Sequence, residues 1–518
     1  MQNAGLRDVA RYAPERIALV HEGQRLTYGE LERRANRLAR KLRACGLRRG
    51  DHVAALLPNG GDLLCTVWAA YRCGLYFTPI ATTLAPPEVA YIIGNSTARV
   101  VVSHAGCAGL ATALPKVCDA AGVAVEHWLA LGTASGPEWA RFTALEAWLA
   151  SADDSPISDE APGALMLYTS GTTGAPKGVR RPLPPVDHTG LPLFARDVLE
   201  LFDMHGEAVR YLSTQPLYHA AALRPALAVT AGGGTVVLMS RFDASQALEL
   251  IEREAITHSQ WVPTMFQRLL ALPAERRDAF RAPAHRLAWH GAAPCLPSIK
   301  RAMIEWWGPI LLEYYAGTEG VGVTTIDSVE WLAHPGSVGR ARRGVIHILD
   351  EAGGELPPGQ AGRVYFAGAT AFSYHGESGK TAQRTSEQGW QTLGDIGRLD
   401  DQGYLYLLDR ADDMIISGGV NVYPQEIEVA LMEVPGVADC GVIGQPDANF
   451  GERPHAYVVP SDTARGDLPA LRAAIDAHVR DRLGRIKWPA EIKLCAQLPR
   501  SETGKLLRKN LPFTELLR

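Results

Sequence analysis

The segment Tyr168-Thr169-Ser170-Gly171-Thr172-Thr173-Gly174-Ala175-Pro176-Lys177-Gly178-Val179 constrains this chain more than any other. It follows the apolar run Ala164-Leu165-Met166-Leu167, so a loop rich in glycine and hydroxyls must leave a buried strand. Glycines let backbone N–H groups approach a ligand closely, and successive N–H groups make an anion-binding nest. The hydroxyls add donors, and Lys177 adds a mobile point charge. Such a loop suits a polyphosphate. It is not a Walker A loop, because no Gly-x4-Gly-Lys-Ser/Thr spacing can be drawn through it. Linkers seldom carry an ordered Pro-Lys-Gly ending between apolar segments, which argues against a merely flexible connector.

The length of 518 residues fits roughly three to four domain-sized modules. With 47% hydrophobic and 21% charged residues the chain has ample material for a core. A net charge of −4 leaves no basic field for nucleic acid or anionic lipid, so anionic ligands must be held by local donors. Met1-Gln2-Asn3-Ala4-Gly5 lacks a basic region followed by an apolar stretch, so no secretory signal is expected and the protein is expected to be cytoplasmic. The most apolar region, 220–239, is interrupted by Arg224, Pro225 and three glycines, which argues against a transmembrane segment. Eight cysteines are scattered without a Cys-x-x-Cys pair, and the histidines show no metal spacing. Reduced thiols and no structural zinc are the expectation.

Thr27-Tyr28-Gly29-Glu30 has the form of a capping box, followed by Leu31, Ala35, Leu38, Ala39 and Leu42 at helical spacing until Gly46. Val53-Ala54-Ala55-Leu56-Leu57 then has the character of a buried strand. This helix and strand alternation predicts α/β layering. The acidic stretch 151–163 is a surface connector, and Arg180-Arg181-Pro182-Leu183-Pro184-Pro185 should be irregular. Strands are predicted at 234–239, 287–289 and 404–408, and helices at 244–253, 264–270 and 425–432, the last opened by Pro424. The elements shorten after about residue 410. We therefore expect a large N-terminal region of layered sheets and helices, 1–409, joined to a small α+β domain, 410–518.

The Ser/Thr/Gly loop matches, residue for residue, the phosphate-binding signature of the adenylate-forming superfamily of acyl- and aryl-CoA ligases, luciferases and peptide-synthetase adenylation domains. The resemblance extends over roughly residues 10 to 512. It implies that Thr169, Ser170, Gly171, Thr172, Thr173, Gly174 and Lys177 hold ATP phosphates. Glu313-Tyr314-Tyr315-Ala316-Gly317-Thr318-Glu319 resembles the family's aromatic–Gly–x–Thr–Glu segment. By that resemblance Tyr315 packs on adenine, Thr318 donates to phosphate and Glu319 faces Mg²⁺, a hard cation that wants carboxylate oxygen. Ala316 stands where the family usually has glycine. Gly291-Ala292-Ala293-Pro294 resembles the small-residue turn lining the adenine and acyl pockets, and Pro335-Gly336-Ser337-Val338-Gly339 matches a structural motif.

In Thr392-Leu393-Gly394-Asp395 the resemblance makes Asp395 the acceptor of both ribose hydroxyls, with Arg410 as a second ribose contact. Asp412 matches the hinge about which a mobile C-terminal domain turns, Gly418 and Gly419 border the pantetheine tunnel of CoA ligases, and Lys505, in Ser501-Glu502-Thr503-Gly504-Lys505, matches the C-terminal catalytic lysine. His219, in Pro216-Leu217-Tyr218-His219-Ala220, matches a residue of the acid-pocket wall, and His290 is expected to be structural. Arg180-Arg181-Pro182 replaces the usual Thr-His after the loop, and its role is left open.

The expected activity is ATP-dependent acid:CoA ligation, with ATP, Mg²⁺ and coenzyme A, and no nucleic acid partner. Small residues at 220–222 and 291–293 suggest a roomy apolar pocket for a medium- or long-chain fatty or bulky cyclic acid, with a compact aryl acid second. Amino-acid adenylation for a carrier protein and a catalytically dead nucleotide-binding regulator are the rivals. A homodimer is compatible with the sequence.

Overall fold

Continuous apolar runs build the interior of the computed structural model, which describes residues 5–169, 176–186, 192–368, 372–501 and 504–517. Val53, Ala54, Ala55 and Leu56 are fully buried in the strand His52–Leu56, the mark of a strand covered on both faces. This strand lies inside a six-stranded sheet whose neighbours all pair in parallel. The predicted capping box forms: Glu30 N–H donates to Thr27 Oγ1 at 3.2 Å, and Thr27 N–H donates to Glu30 Oε2 at 2.8 Å. It opens the helix Tyr28–Ala44, which buries Leu31, Ala35, Leu38, Ala39 and Leu42.

A nine-stranded sheet positions the site. Its centre is the parallel set Thr235–Leu238, Arg210–Ser213, His258–Trp261, Leu287–His290 and Leu311–Ala316. The antiparallel strand Val323–Asp327 follows at one side. Because the central strands run the same way, the loops after Ser213, Trp261, His290 and Ala316 all leave the same edge. That carboxyl edge is where open α/β sheets bind ligands.

Two smaller sheets complete the large N-terminal domain: Leu167–Thr169, Lys177–Arg180 and Ser373–Tyr374, and an antiparallel set including Asp395–Leu399 and Leu405–Arg410. The small C-terminal domain has a five-stranded sheet, from Ile415–Ser417 to Glu491–Leu494, with the helices Pro424–Met432 and Leu468–Arg482. Ile427, Leu431, Val442, Val458 and Ile475 form its own buried cluster.

The predicted elements lie within a residue or two of their expected ends. The strand expected at 404–408 runs Leu405–Arg410, so Arg410 ends a strand paired with Asp395. The apolar region 220–239 contains the helix Ala220–Ala231, which runs through Pro225. Among the described residues no helix is long and apolar enough to cross a membrane.

Candidate active site

The turn after His290 is tightly specified. A side chain at Gly291 would meet the Tyr314 carbonyl oxygen at 2.6 Å, so only glycine fits there. Ala292 follows at φ 68°, a left-handed conformation rare outside glycine and a local strain held by its surroundings. Ala292 and Ala293 remain accessible. His219 caps that helix and its ring lies 4.4 Å from that of Tyr218. Burial lowers its pKa to about 4, and its Nε2 has no hydrogen-bond partner. His219 is therefore a neutral ring in the cleft wall at ordinary pH.

The hairpin of Leu167–Thr169 and Lys177–Arg180 places Thr169 opposite Lys177. Ser170, Gly171, Thr172, Thr173 and Gly174 lie outside the described residues. Lys177 Nζ stands 5.1 Å from the centre of the Tyr374 ring, and the Tyr374 hydroxyl donates to Glu319 Oε1 at 2.8 Å. Burial, and then the nearby Arg384, lower the Lys177 pKa. Gly317 has no room for a side chain, which would overlap Leu393 and press on Glu319. Lys177, Tyr374 and Glu319 thus form one group, with Thr318 next to Glu319 in sequence.

Among the described residues no group of three or more His, Cys, Asp or Glu side chains could hold a metal ion alone. One carboxylate beside a lysine suits a Mg²⁺ held mainly by phosphate oxygens, which keeps few protein ligands.

At the other end, Asp395 gathers two groups, Tyr315 and Arg410. The Tyr315 hydroxyl donates to Oδ2, Arg410 Nε is 2.8 Å from Oδ1, and Arg410 Nη1 donates to the Leu393 carbonyl at 3.0 Å. Burial and the Asp395 carboxylate raise the Tyr315 pKa well above its ordinary value. Lys505 comes into this neighbourhood from the small domain. Burial, and then the Arg410 guanidinium, lower its pKa, while Asp413 and Asp395 oppose the shift. The adjoining Gly504 has φ 75° and fits so closely on Thr264 that any side chain would overlap Thr264 Oγ1. Thr264 lies on the helix Pro263–Leu270, which follows one of the central strands.

Asp412 lies 3.5 Å from Arg384 Nη2. Gly418 and Gly419 form the turn between Ile415–Ser417 and Val420–Val422, both at positive φ, with Phe450 and Ile486 beside Gly418. That turn packs within its own sheet, apart from the grouping around Asp395. His290 is fully buried; neither ring nitrogen makes a hydrogen bond, and Nε2 lies 3.9 Å from Glu313 Oε2.

Sequence reasoning missed Tyr374, which no motif marks. It also missed the pair Lys300 and Glu313, wholly buried at 2.6 Å beneath the aromatic segment. Arg181, left without a role, donates to the Glu319 carbonyl at 2.7 Å, and Arg224 donates to the Thr318 carbonyl at 3.2 Å.

With this geometry in place, comparison with known proteins is direct. Residues 6–374 match the AMP-binding enzyme family, and residues 426–505 match the AMP-binding enzyme C-terminal domain. A feruloyl-CoA synthase of Amycolatopsis sp is 35% identical over 96% of each chain. A long-chain-fatty-acid–CoA ligase of Mycobacterium tuberculosis is 32% identical over 98% of this chain and 97% of its own. The o-succinylbenzoate CoA synthetase of Bacillus subtilis, solved with its acyl-adenylate intermediate, superposes with a TM-score of 0.81 at 27% identity, covering 100% of this chain and 99% of the other. The chain belongs to the AMP-binding enzyme family. With these relatives it falls in the class of AMP-forming acid–thiol ligases.

Proposed function

We propose that this enzyme activates a hydrophobic carboxylic acid, a medium- or long-chain fatty or bulky cyclic acid, as its adenylate and transfers the acyl group to coenzyme A. The observation that carries the reading is the close seating of Gly504, the neighbour of Lys505, on Thr264 of the large domain, with Lys505 within electrostatic reach of Arg410 and Asp395. This joins the small domain's lysine to the large domain's nucleotide groups.

The ionised acid is itself the nucleophile, so no side chain must remove a proton. Its oxygen attacks the α-phosphorus and the bond to pyrophosphate breaks. The loop from Thr169 to Gly174 and Lys177 hold the phosphates, Tyr315, Asp395 and Arg410 hold the nucleoside, and Gly291, Ala292 and Ala293 line the adenine and acyl pockets. Glu319 would hold Mg²⁺, which when bound would supply positive charge against the leaving pyrophosphate. Thr318 donates to the phosphate, and Lys505 bridges carboxylate and α-phosphate as an electrostatic contact. Tyr374 orients Glu319. His219, neutral, walls the acid site.

In the second step the segment from 410 onward turns about Asp412, and Gly418 and Gly419 guide the pantetheine arm. The CoA sulfur then attacks the acyl carbonyl and AMP departs. The small residues Ala220, Ala221, Ala292 and Ala293 support a bulky apolar acid; of the two curated relatives above, the feruloyl-CoA synthase and the long-chain-fatty-acid ligase, the latter agrees. A compact aryl acid is the second reading, favoured by the first of those relatives.

The test is acid-dependent ATP–pyrophosphate exchange followed by CoA-dependent thioester formation across fatty and aromatic acids. Exchange without thioester would turn the reading toward carrier-protein loading. Neither reaction with any acid would turn it toward a nucleotide-binding regulator.

A further inference from the structure

Buried arginines in this protein are, as a rule, matched by carboxylates. Arg72 grips Glu32 through bonds of 2.9 and 2.8 Å, Arg508 pairs with Glu428, Arg500 with Asp439, and Arg410 with Asp395. Arg181 and Arg224 break the rule. Among the described residues neither has a carboxylate within ion-pair distance, and each donates a single bond, to a main-chain carbonyl. Arg181 Nε is buried without a partner. Their seats are nevertheless built: Gly320, at φ 64°, leaves the space that the Arg181 guanidinium fills.

The surrounding charge offsets this only in part, through Glu319 near both and Asp197 near Arg181. Arg343 adds a third guanidinium but is already paired with Asp197, and Glu319 gives one carboxylate oxygen to Tyr374. Burial, and then the other arginine, bring the Arg224 pKa down to about 10, and burial with Arg343 lowers that of Arg181. Leaving cations desolvated and unpaired is unfavourable, and an incoming anion would relieve it.

Position narrows what that anion is. Ala220, Ala221 and Arg224 are the only residues of the helix Ala220–Ala231 that are not fully buried, so Arg224 shares the open face that follows His219. The arginines approach the main-chain carbonyls of Thr318 and Glu319, whereas the Glu319 side chain turns to Tyr374 and, through it, to Lys177. They therefore stand on the acid side of the turn. Nor do they suit the reacting carboxylate, because two guanidinium donors would withdraw the electron density it needs for attack.

We propose that Arg224 and Arg181 form a binding site for a second, non-reacting acidic group, a carboxylate or sulfonate, carried by the acid substrate. This rests on the ligase reading above and adds an acidic group to the apolar body assigned there. The acid thus belongs to the dianionic class, with its second charge near the reacting end, since Thr318 and Glu319 adjoin both arginines.

The test is acid-dependent ATP–pyrophosphate exchange by the full chain with matched pairs of acids. Dicarboxylic acids of graded length and a sulfonated carboxylic acid are each compared with the monocarboxylic acid ending in methyl. The expected result is a preference of about tenfold or more in kcat/KM for the dianionic member, the scale of one charged hydrogen bond. Arg224→Leu brings that ratio close to one, Arg224→Lys keeps part of it, and Arg181→Gln lowers it. The ratio within one variant cancels any loss common to both acids, so a general structural defect does not imitate the effect. A wild-type preference for the monoacid, or a ratio unmoved by either arginine, would overturn the proposal and leave the ligase reading standing. A raised KM for pyrophosphate with an unchanged acid ratio would place a nucleotide phosphate at the arginines and overturn it also. No exchange with any acid would remove the ligase reading, and this site with it.

Discussion

The two ends of the cleft handle charge in opposite ways. Around Asp395 the partners are already assembled: the Tyr315 hydroxyl and the Arg410 guanidinium both sit on its carboxylate. Around Thr318 and Glu319 two guanidiniums rest on main-chain carbonyls only, and Lys177 faces a ring. On the reading proposed above, the first end takes a nucleoside, which carries no net charge, so its pocket can be neutral beforehand and needs only acceptors in fixed places. The other end would take phosphate at Lys177 and the second charge of the acid at the arginines, so it holds cations in reserve. Preorganisation takes the form of paired groups at one end and unpaired groups at the other.

The largest break in this contrast is expected where the small domain's cation joins it. Lys505→Ala should slow adenylation by about 10²–10³, the scale of one lost transition-state donor. Thioester formation from a supplied acyl-adenylate should change far less. Pyrophosphate exchange and single-turnover thioester assays measure the two separately, and equal losses would count against two working conformations.

Asp395→Asn attacks the paired end. It removes the charge opposite Arg410 and an acceptor for ribose, so KM for ATP should rise by about 10- to 100-fold. The acid preference should stay put. A shift in acid selectivity would mean the two ends are not independent.

A smaller effect is expected from Tyr374→Phe, which frees Glu319 of its only described side-chain donor. The rate of adenylation should fall by about tenfold and the Mg²⁺ concentration for half-maximal rate should rise. A Mg²⁺ titration decides this, since a purely structural role would lower the rate without moving the midpoint.

The smallest expected effect concerns stability. Burial lowers the pKa of His285 to about 3 and of His219 and His258 to about 4, below the ordinary 6.5. The folded state then refuses protons that the unfolded state binds. Stability is complete above pH 6.5 and falls as pH drops toward 4, by about 1.4 kcal/mol per pH unit for each such histidine. His285→Gln should flatten that slope by about one proton in denaturant unfolding followed across the range. An unchanged slope would show that His285 does not titrate with unfolding.

Local signals were legible in the sequence. The capping box at Thr27 and Glu30, the helix opened by Pro424 and the buried strand at Val53 each depend on neighbours a few residues away. The segments proposed for the site were marked by glycine and hydroxyl spacing and by the family resemblance. What escaped was pairing across the chain. Tyr374 meets Glu319 over a separation of 55 residues, Arg224 meets Thr318 over 94, and Arg181 meets Glu319 over 138. Nothing in spacing or composition announces such contacts, because they arise only when parallel strands bring distant loops to one edge. The small residues at 220–222 suggested an apolar wall, yet one turn further along the same helix places Arg224 on the open face.

Lys177 begins the short strand Lys177–Arg180 and Arg181 follows its other end, so on the roles proposed above a single short strand would serve both substrates. The helix Ala220–Ala231 has no such double duty. Efforts to retarget the enzyme to new acids should accordingly find tolerant positions on that helix and brittle ones in the hairpin, where a change of taste in acid would be paid in grip on the nucleotide.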